Sequence, residues 1–208
     1  MVNDQIYKLN TKRYGTHRIV ASLLGKGNTI LDVGCSSGYL ATLAPGNKFF
    51  GIDSNSECLK EAEKEGYKTQ LLDLNQINGE LAWGQRFKII VFVDVLEHLK
   101  NPEEVGVQII KQCLEKNGTV IISLPNVAHF STRIGLMLGK FDYQDAGILD
   151  RTHLHLYTLK SALRLTQSVG LRVTDVFFSS DRFGVLINKI PVLGTLLGYN
   201  IILVCKRY

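Results

Sequence analysis

Thr29-Ile-Leu-Asp-Val-Gly-Cys-Ser-Ser-Gly-Tyr39 is the stretch from which the fold is read. An apolar run ends at an acid, turns through Gly34 and Gly38, and continues as Tyr39-Leu-Ala-Thr-Leu, which reads as a helix. Two glycines let the backbone turn tightly and come close to a ligand, and the new helix points N–H groups toward it. A second acid, Asp53, ends Phe49-Phe-Gly-Ile-Asp53, 19 residues after Gly34 and at the tip of the next expected strand. A carboxylate in that position accepts both hydroxyls of a ribose. The spacing Asp32-x-Gly34-x-x-x-Gly38 is not the G-x-G-x-x-G of a dinucleotide site. It therefore points to a nucleoside cofactor and counts against a nicotinamide-dependent oxidoreductase. The plain alternative is an ordinary strand-to-helix turn.

Asp32-Val-Gly-Cys-Ser-Ser-Gly38 together with Asp53 resembles the first two motifs of class I S-adenosylmethionine (SAM) dependent methyltransferases, with Ser36 at the usual central glycine. The resemblance extends over roughly residues 25 to 125 and implies SAM as cofactor. It implies a loop from Gly34 to Gly38 against the methionine and ribose parts, with Asp53 on the ribose. Gln70-Leu-Leu-Asp73-Leu74 matches the acid that usually meets the adenine amino group. The cofactor residues implied are Asp32, Gly34, Cys35, Ser36, Gly38, Tyr39, Asp53, Ser54, Asp73, Leu74 and Asp94, the last near the methionine end.

The rest of the chain fits that frame. Short apolar runs alternate with longer amphipathic ones, the pattern of an α/β fold with a mostly parallel sheet and helices on both faces. Strands are expected at Thr29–Val33, Phe49–Ile52, Thr69–Leu72, Lys88–Val93 and Thr119–Leu124, then Leu171–Phe178 and Asn200–Cys205. Helices are expected at Tyr39–Leu43, Ser56–Glu65, Pro102–Glu115 and Leu159–Val169, with Asn117-Gly118 as the stop of the third. The resemblance implies a Rossmann-like, seven-stranded sheet whose last strand inserts antiparallel beside the sixth. All 208 residues read as one domain. Residues 1–26 form a helical N-terminal segment, and residues 125–157 form a long connection or lid on the acceptor side.

Composition excludes little. Hydrophobic residues make up 45% of the chain and charged residues 21%, ordinary globular values. A net charge of +5 is too small to argue for nucleic acid. The four cysteines, Cys35, Cys58, Cys113 and Cys205, show no C-x-x-C spacing and read as free thiols in the cytoplasm. The apolar tract from Gly184 to Cys205 is broken by Asn188, Lys189, Pro191 and Asn200, which argues against a transmembrane span. A weak membrane-surface contact over residues 183–197 stays open, as does the oligomeric state.

Chemistry beyond the cofactor is expected after the fourth and fifth strands. In Asp94-Val-Leu-Glu97-His98, two carboxylates one helical turn apart and an adjacent imidazole have three readings. They brace the backbone, or His98 serves as a general base, or the group holds a divalent ion. The spacing resembles the Glu-x-x-Glu-His metal site of small-RNA terminal 2′-O-methyltransferases and ubiquinone-pathway O-methyltransferases, with Asp94 in place of the first Glu. On that resemblance a metal would be held by Asp94, Glu97, His98 and His153, although no metal is assigned. The second cluster is Asp150-Arg-Thr-His153-Leu-His155-Leu-Tyr157, where His153 and His155 share a face if the segment is extended. With Asn126, His129, Arg133, Phe141 and Tyr143 it makes an acceptor lid. Ser123–His129 and Asp150–His153 also resemble bacterial methyltransferases associated with cell-surface polysaccharide and glycosyltransferase systems.

The expected function is methyl transfer from SAM to a hydroxyl of a sugar, glycan precursor or other small polar molecule, with His98 or His153 as catalytic base. The alternatives are a non-catalytic SAM-binding subunit, or a methyltransferase of RNA or of a quinone-like molecule.

Overall fold

The computed structural model describes residues 13–77, 81, 83–180 and 184–208. Its centre is a seven-stranded sheet of β1 (Thr29–Val33), β2 (Lys48–Asp53), β3 (Lys68–Leu71), β4 (Phe87–Val93), β5 (Leu114–Pro125), β6 (Leu171–Phe178) and β7 (Asn200–Arg207). The strand order is β3-β2-β1-β4-β5-β7-β6. Strands β1 to β5 pair in parallel, and β7 runs antiparallel to both β5 and β6. The chain direction across the sheet reverses between β1 and β4, and a ligand crevice opens at such a point beyond the carboxyl ends of the strands.

The strands form where the sequence is apolar on both faces, as a doubly covered parallel sheet requires. Alternate residues of β1, β2, β4 and β5 enter two cores. Leu31, Val33, Phe50, Ile90, Phe92 and Ile122 pack with α4 (Pro102–Cys113) and α6 (Leu159–Ser168). Ile30, Phe49, Ile89, Val91 and Ile121 pack with α1 (Thr16–Leu23), α2 (Tyr39–Leu43) and α3 (Ser56–Lys64). Asn55 starts α3 by accepting the Glu57 and Cys58 N–H groups at 2.9 and 3.1 Å. This leaves fewer unpaired donors at the helix start. The four cysteines are free and buried.

Three expectations are corrected. Helix α4 stops at Cys113, because the fully buried Leu114 turns extended and begins β5 opposite Phe87. Asn117-Gly118 therefore lies inside β5, where the β4–β5 register shifts. The long connection after β5 contains α5 (Phe130–Met137), for which His129 Nδ1 accepts the Ser131 N–H. The tract after β6 contains α7 (Gly184–Lys189) and α8 (Pro191–Leu197) ahead of β7. Phe183, the start of the membrane-contact reading, lies outside the described residues, as do residues 1–12 of the N-terminal helical reading. Among the described residues, no helix is long and apolar enough to cross a membrane.

Candidate functional site

The loop after β1 is held by its own polar groups. Gly34 and Cys35 donate to the Ile52 carbonyl at 2.7 and 3.0 Å, pinning the loop to β2. Ser36 has φ +46, and its N–H donates to Asp53 Oδ2 at 2.9 Å. The other oxygen, Asp53 Oδ1, accepts from Asn55 N–H at 2.9 Å. Gly34 and Gly38 have φ +73 and +76, and both are needed for packing within the protein. A Cβ at Gly34 would lie 2.4 Å from Val95 Cγ2, and one at Gly38 2.9 Å from Ala62 Cα in α3. Asp32 is buried beneath the loop, where the Tyr67 hydroxyl donates to its Oδ2 at 2.8 Å. Burial lifts its pKa from 3.8 to about 7 against the Tyr67 hydrogen bond, and the Asp53 charge adds to the rise. The Cys35 thiol is pushed up by burial and then by Asp32, so Cys35 is a packing group.

A cavity of about 220 Å³ opens beside this loop. Its lining includes Asp32, Gly34, Cys35 and Ser36 of the loop region, with His17 and Tyr39 from α1 and α2. The lining also includes Asp94, Glu97, His98, Asp150, His153, Tyr199 and Asn200. A larger groove of about 970 Å³ lies between residues 83–86 and α4. It sits where β4 begins, at the wrong end of the strands for a ligand in this fold.

Asp94 follows β4 with φ +55. Its Oδ1 accepts from Ser123 Oγ at 2.5 Å and from Asn200 Nδ2 at 2.8 Å. Those bonds tie its carboxylate to β5 and β7, so it does not join the other three residues of the expected metal quartet. Glu97, His98 and His153 do come together, with their candidate ligand atoms within 4.8 Å of one another. The Glu97 carbonyl brings this about by accepting the Leu154 and His155 N–H groups at 2.8 and 3.1 Å. The rings of His98 and His153 thereby sit 4.8 Å apart.

Glu97 is fully buried, and neither carboxyl oxygen has a hydrogen-bond partner among the described residues. Burial, and then the Asp94 charge, push its pKa well above the ordinary carboxylate range. Burial, and then the His153 imidazole, hold His98 below its usual value. His98 Nδ1 lies 3.2 Å from the Thr152 carbonyl and His153 Nδ1 lies 3.1 Å from the Ile148 carbonyl. A carbonyl only accepts, so in the neutral ring each Nδ1 carries the proton and each Nε2 the lone pair.

Several expected site residues fall outside the cavity lining, Gly38 and Asp53 among them. Asp73 caps a 3-10 turn at Leu74–Gln76 by accepting from Asn75 N–H and Gln76 Nε2, and Leu74 is buried in the core. Ser54 is exposed at the tip of β2. Residues 151–157 turn and are not extended, so His153 and His155 part: His155 Nε2 lies 3.4 Å from the Lys100 carbonyl. Asn126 is buried and donates to the Thr195 and Gly198 carbonyls. Arg133 Nε donates to the Ala128 carbonyl, and Tyr143 is exposed. Sequence reasoning missed His17, Tyr199 and Asn200 at the cavity. His17 carried a visible signal, a histidine early in an otherwise apolar-faced helix.

A nucleoside-cofactor loop at the reversal point of a seven-stranded α/β sheet defines the class of protein. A family model described as a methyltransferase domain matches residues 9–176, and the chain belongs to that family. It is a class I SAM-dependent methyltransferase, with SAM as its cofactor. Among solved structures, the chain resembles the magnesium protoporphyrin IX methyltransferase of Synechocystis with bound S-adenosylhomocysteine (SAH). The TM-score there is 0.64 at 18% identity, covering 97% of this chain and 90% of that one. A SAM-dependent methyltransferase from Aquifex aeolicus gives 0.63 at 15% identity, covering 96% and 94%. Among curated relatives, a ubiquinone biosynthesis O-methyltransferase of Coxiella burnetii is 28% identical over 186 residues, 73% of this chain and 77% of that protein. The mitochondrial protein of that name from Candida albicans is 32% identical over 117 residues, half of this chain and 35% of that one.

Proposed function

We propose that the protein transfers a methyl group from SAM to a hydroxyl oxygen of a small acceptor, with a sugar or glycan-precursor hydroxyl as the first candidate. The observation that supports an oxygen acceptor is Glu97, a buried carboxyl with two partnerless oxygens grouped with two imidazoles in the cavity. SAM supplies an electrophilic methyl on a cationic sulfur. The chain's task is then to hold the acceptor in line with it and to remove the acceptor's proton. Fixing the geometry supplies about 7–11 kcal/mol, and a placed base adds on the order of 10²–10⁴-fold.

Glu97, His98 and His153 fit a divalent cation. One hard oxygen donor and two Nε2 lone pairs converge, and each Nδ1 is tied to a carbonyl, the support that orients metal-bound histidines. A cation bound there would polarise the acceptor hydroxyl and lower its pKa. His98 or His153 takes the proton directly if no cation binds.

A phenolic, quinone-like acceptor is the second reading. Exposed apolar side chains begin at Phe130 of α5, which connects to the cavity-lining Tyr199 through the His129 ring, 4.5 Å from Phe130 and 5.8 Å from Tyr199. They suit an acceptor with an apolar body, and relatives named for ubiquinone biosynthesis add weight.

The test follows labelled methyl from SAM into panels of sugars, sugar nucleotides and catechols, with chelator and with added Mg²⁺ or Mn²⁺. Methyl on oxygen, lost in His98→Ala, His153→Ala and Glu97→Gln while SAM still binds, is the expected result. Chelator-sensitive turnover restored by metal assigns the cation, and chelator-insensitive turnover assigns a histidine base. Methyl found on nitrogen or carbon, or full activity in all three variants, overturns the proposal.

A further inference from the structure

We propose that His17 binds the carboxylate of the cofactor's amino-acid end, beside Asp94. The assignment rests on SAM as cofactor and is independent of the acceptor. Strand order sets the direction of the cofactor. Asp53 ends β2, the glycine loop follows β1 and Asp94 follows β4, so these groups lie in sequence along one edge of the sheet. A nucleoside with its ribose at Asp53 extends across the loop and brings its far end to Asp94. That far end is a zwitterion, an ammonium and a carboxylate on one carbon. Asp94 complements the first and repels the second, so the carboxylate needs a cationic or donor group nearby.

Cationic groups are few in the cavity. Among the described residues lining it there is no Lys and no Arg, and the positively chargeable groups are His17, His98 and His153. His98 and His153 belong to the acceptor end, with their Nδ1 atoms against carbonyls. His17 lies in the first turn of α1, which packs on α2 and β7 and so reaches over the loop. Its Nδ1 is buried and has no hydrogen-bond partner among the described residues. The ring meets Tyr39 edge-on, with centroids 6.0 Å apart. A buried polar atom without a partner costs free energy that a ligand can recover. Burial lowers the His17 pKa while Asp94 raises it, so a second carboxylate arriving beside the ring favours the imidazolium.

The test is calorimetric titration of the whole chain with SAH and with decarboxylated SAH, which keeps the ammonium and lacks the carboxylate. Wild type is expected to bind SAH more tightly. His17→Ala should weaken SAH about tenfold, in line with losing one charge-assisted hydrogen bond, and change the decarboxylated ligand less than about twofold. His17→Gln keeps a donor and should fall between, and it carries the test if thermal melting shows that the alanine variant does not fold. Equal weakening of both ligands, no weakening of either, or equal binding of the two by wild type overturns the assignment. A wild type that binds neither ligand would instead sink the cofactor assignment.

Discussion

The Ser36 N–H donates to Asp53 Oδ2 at 2.9 Å, so the carboxylate that ends β2 also holds the loop that follows β1. Oδ1 of the same group accepts from Asn55 N–H at the start of α3. An ionised carboxylate has about four acceptor sites. Two hold the protein together here, and the remaining two suit the hydroxyls of a ribose. If Asp53 takes the ribose, one residue links the folding of the loop to cofactor binding.

Asp53→Ala should therefore weaken SAM and SAH by tenfold or more, since each hydrogen bond to a charged group contributes about 1.5–3 kcal/mol. It should also loosen the loop, which Asp53→Asn would spare in part by keeping one acceptor oxygen for the Ser36 N–H. Titration calorimetry on both variants checks this. Unchanged affinity in the alanine variant would remove Asp53 from the cofactor site.

Ser36 sits at φ +46, in the left-handed region where a side chain costs roughly 1–2 kcal/mol. Ser36→Gly removes that cost, less the extra entropy glycine has in the unfolded chain, about 0.4–1 kcal/mol. The expected outcome is a melting temperature equal to or slightly above wild type, with cofactor affinity retained. A marked loss of affinity would mean that the Ser36 hydroxyl touches the cofactor.

Gly34 shows the opposite sensitivity. An alanine Cβ would lie 2.4 Å from Val95 Cγ2 at a backbone φ of +73, so contact and conformation both oppose it. Gly34→Ala should lower stability by about 2–4 kcal/mol and abolish measurable SAM binding. Adding Val95→Ala removes the collision and keeps the strained φ, so the double variant should recover part of the stability. Denaturant unfolding of both proteins measures the split. No recovery would place the whole cost in the backbone.

The parallel half of the sheet was legible because its strands are buried on both faces and read as continuous apolar runs, as in Ile30, Leu31 and Val33. The glycine loop was legible because its signal, two glycines and two acids, lies within the short stretch from Asp32 to Asp53. Helix α5 was passed over although Phe130, Ile134 and Met137 recur at helical spacing, because it spans only eight residues and that stripe is exposed, not packed on a core. The end of α4 was misplaced because burial of Leu114 outweighed the stop signal at Asn117-Gly118. The cluster of Glu97, His98 and His153 was only partly legible. His98 stands next to Glu97 in the chain, while His153 arrives through backbone bonds from a segment more than 50 residues away. Asn200 meets Asp94 across 106 positions, a relationship set by the antiparallel insertion of β7.

The buried Asp32 makes a prediction about pH. Its pKa is about 7 in the folded chain against 3.8 for an ordinary aspartate, with burial as the main cause. Between those values the native protein binds more protons than the unfolded chain, so this group's contribution to stability falls as pH rises. The contribution is fully present below 3.8 and is lost by the time pH passes about 7. Asp32→Asn has no proton to lose and still accepts the Tyr67 hydroxyl through its amide oxygen. Relative to the asparagine variant, wild-type stability should therefore decline between pH 4.5 and 7.5 in denaturant titrations. Parallel pH profiles for the two proteins would show that Asp32 is ionised in the folded state throughout that range, its burial offset by the Tyr67 hydroxyl.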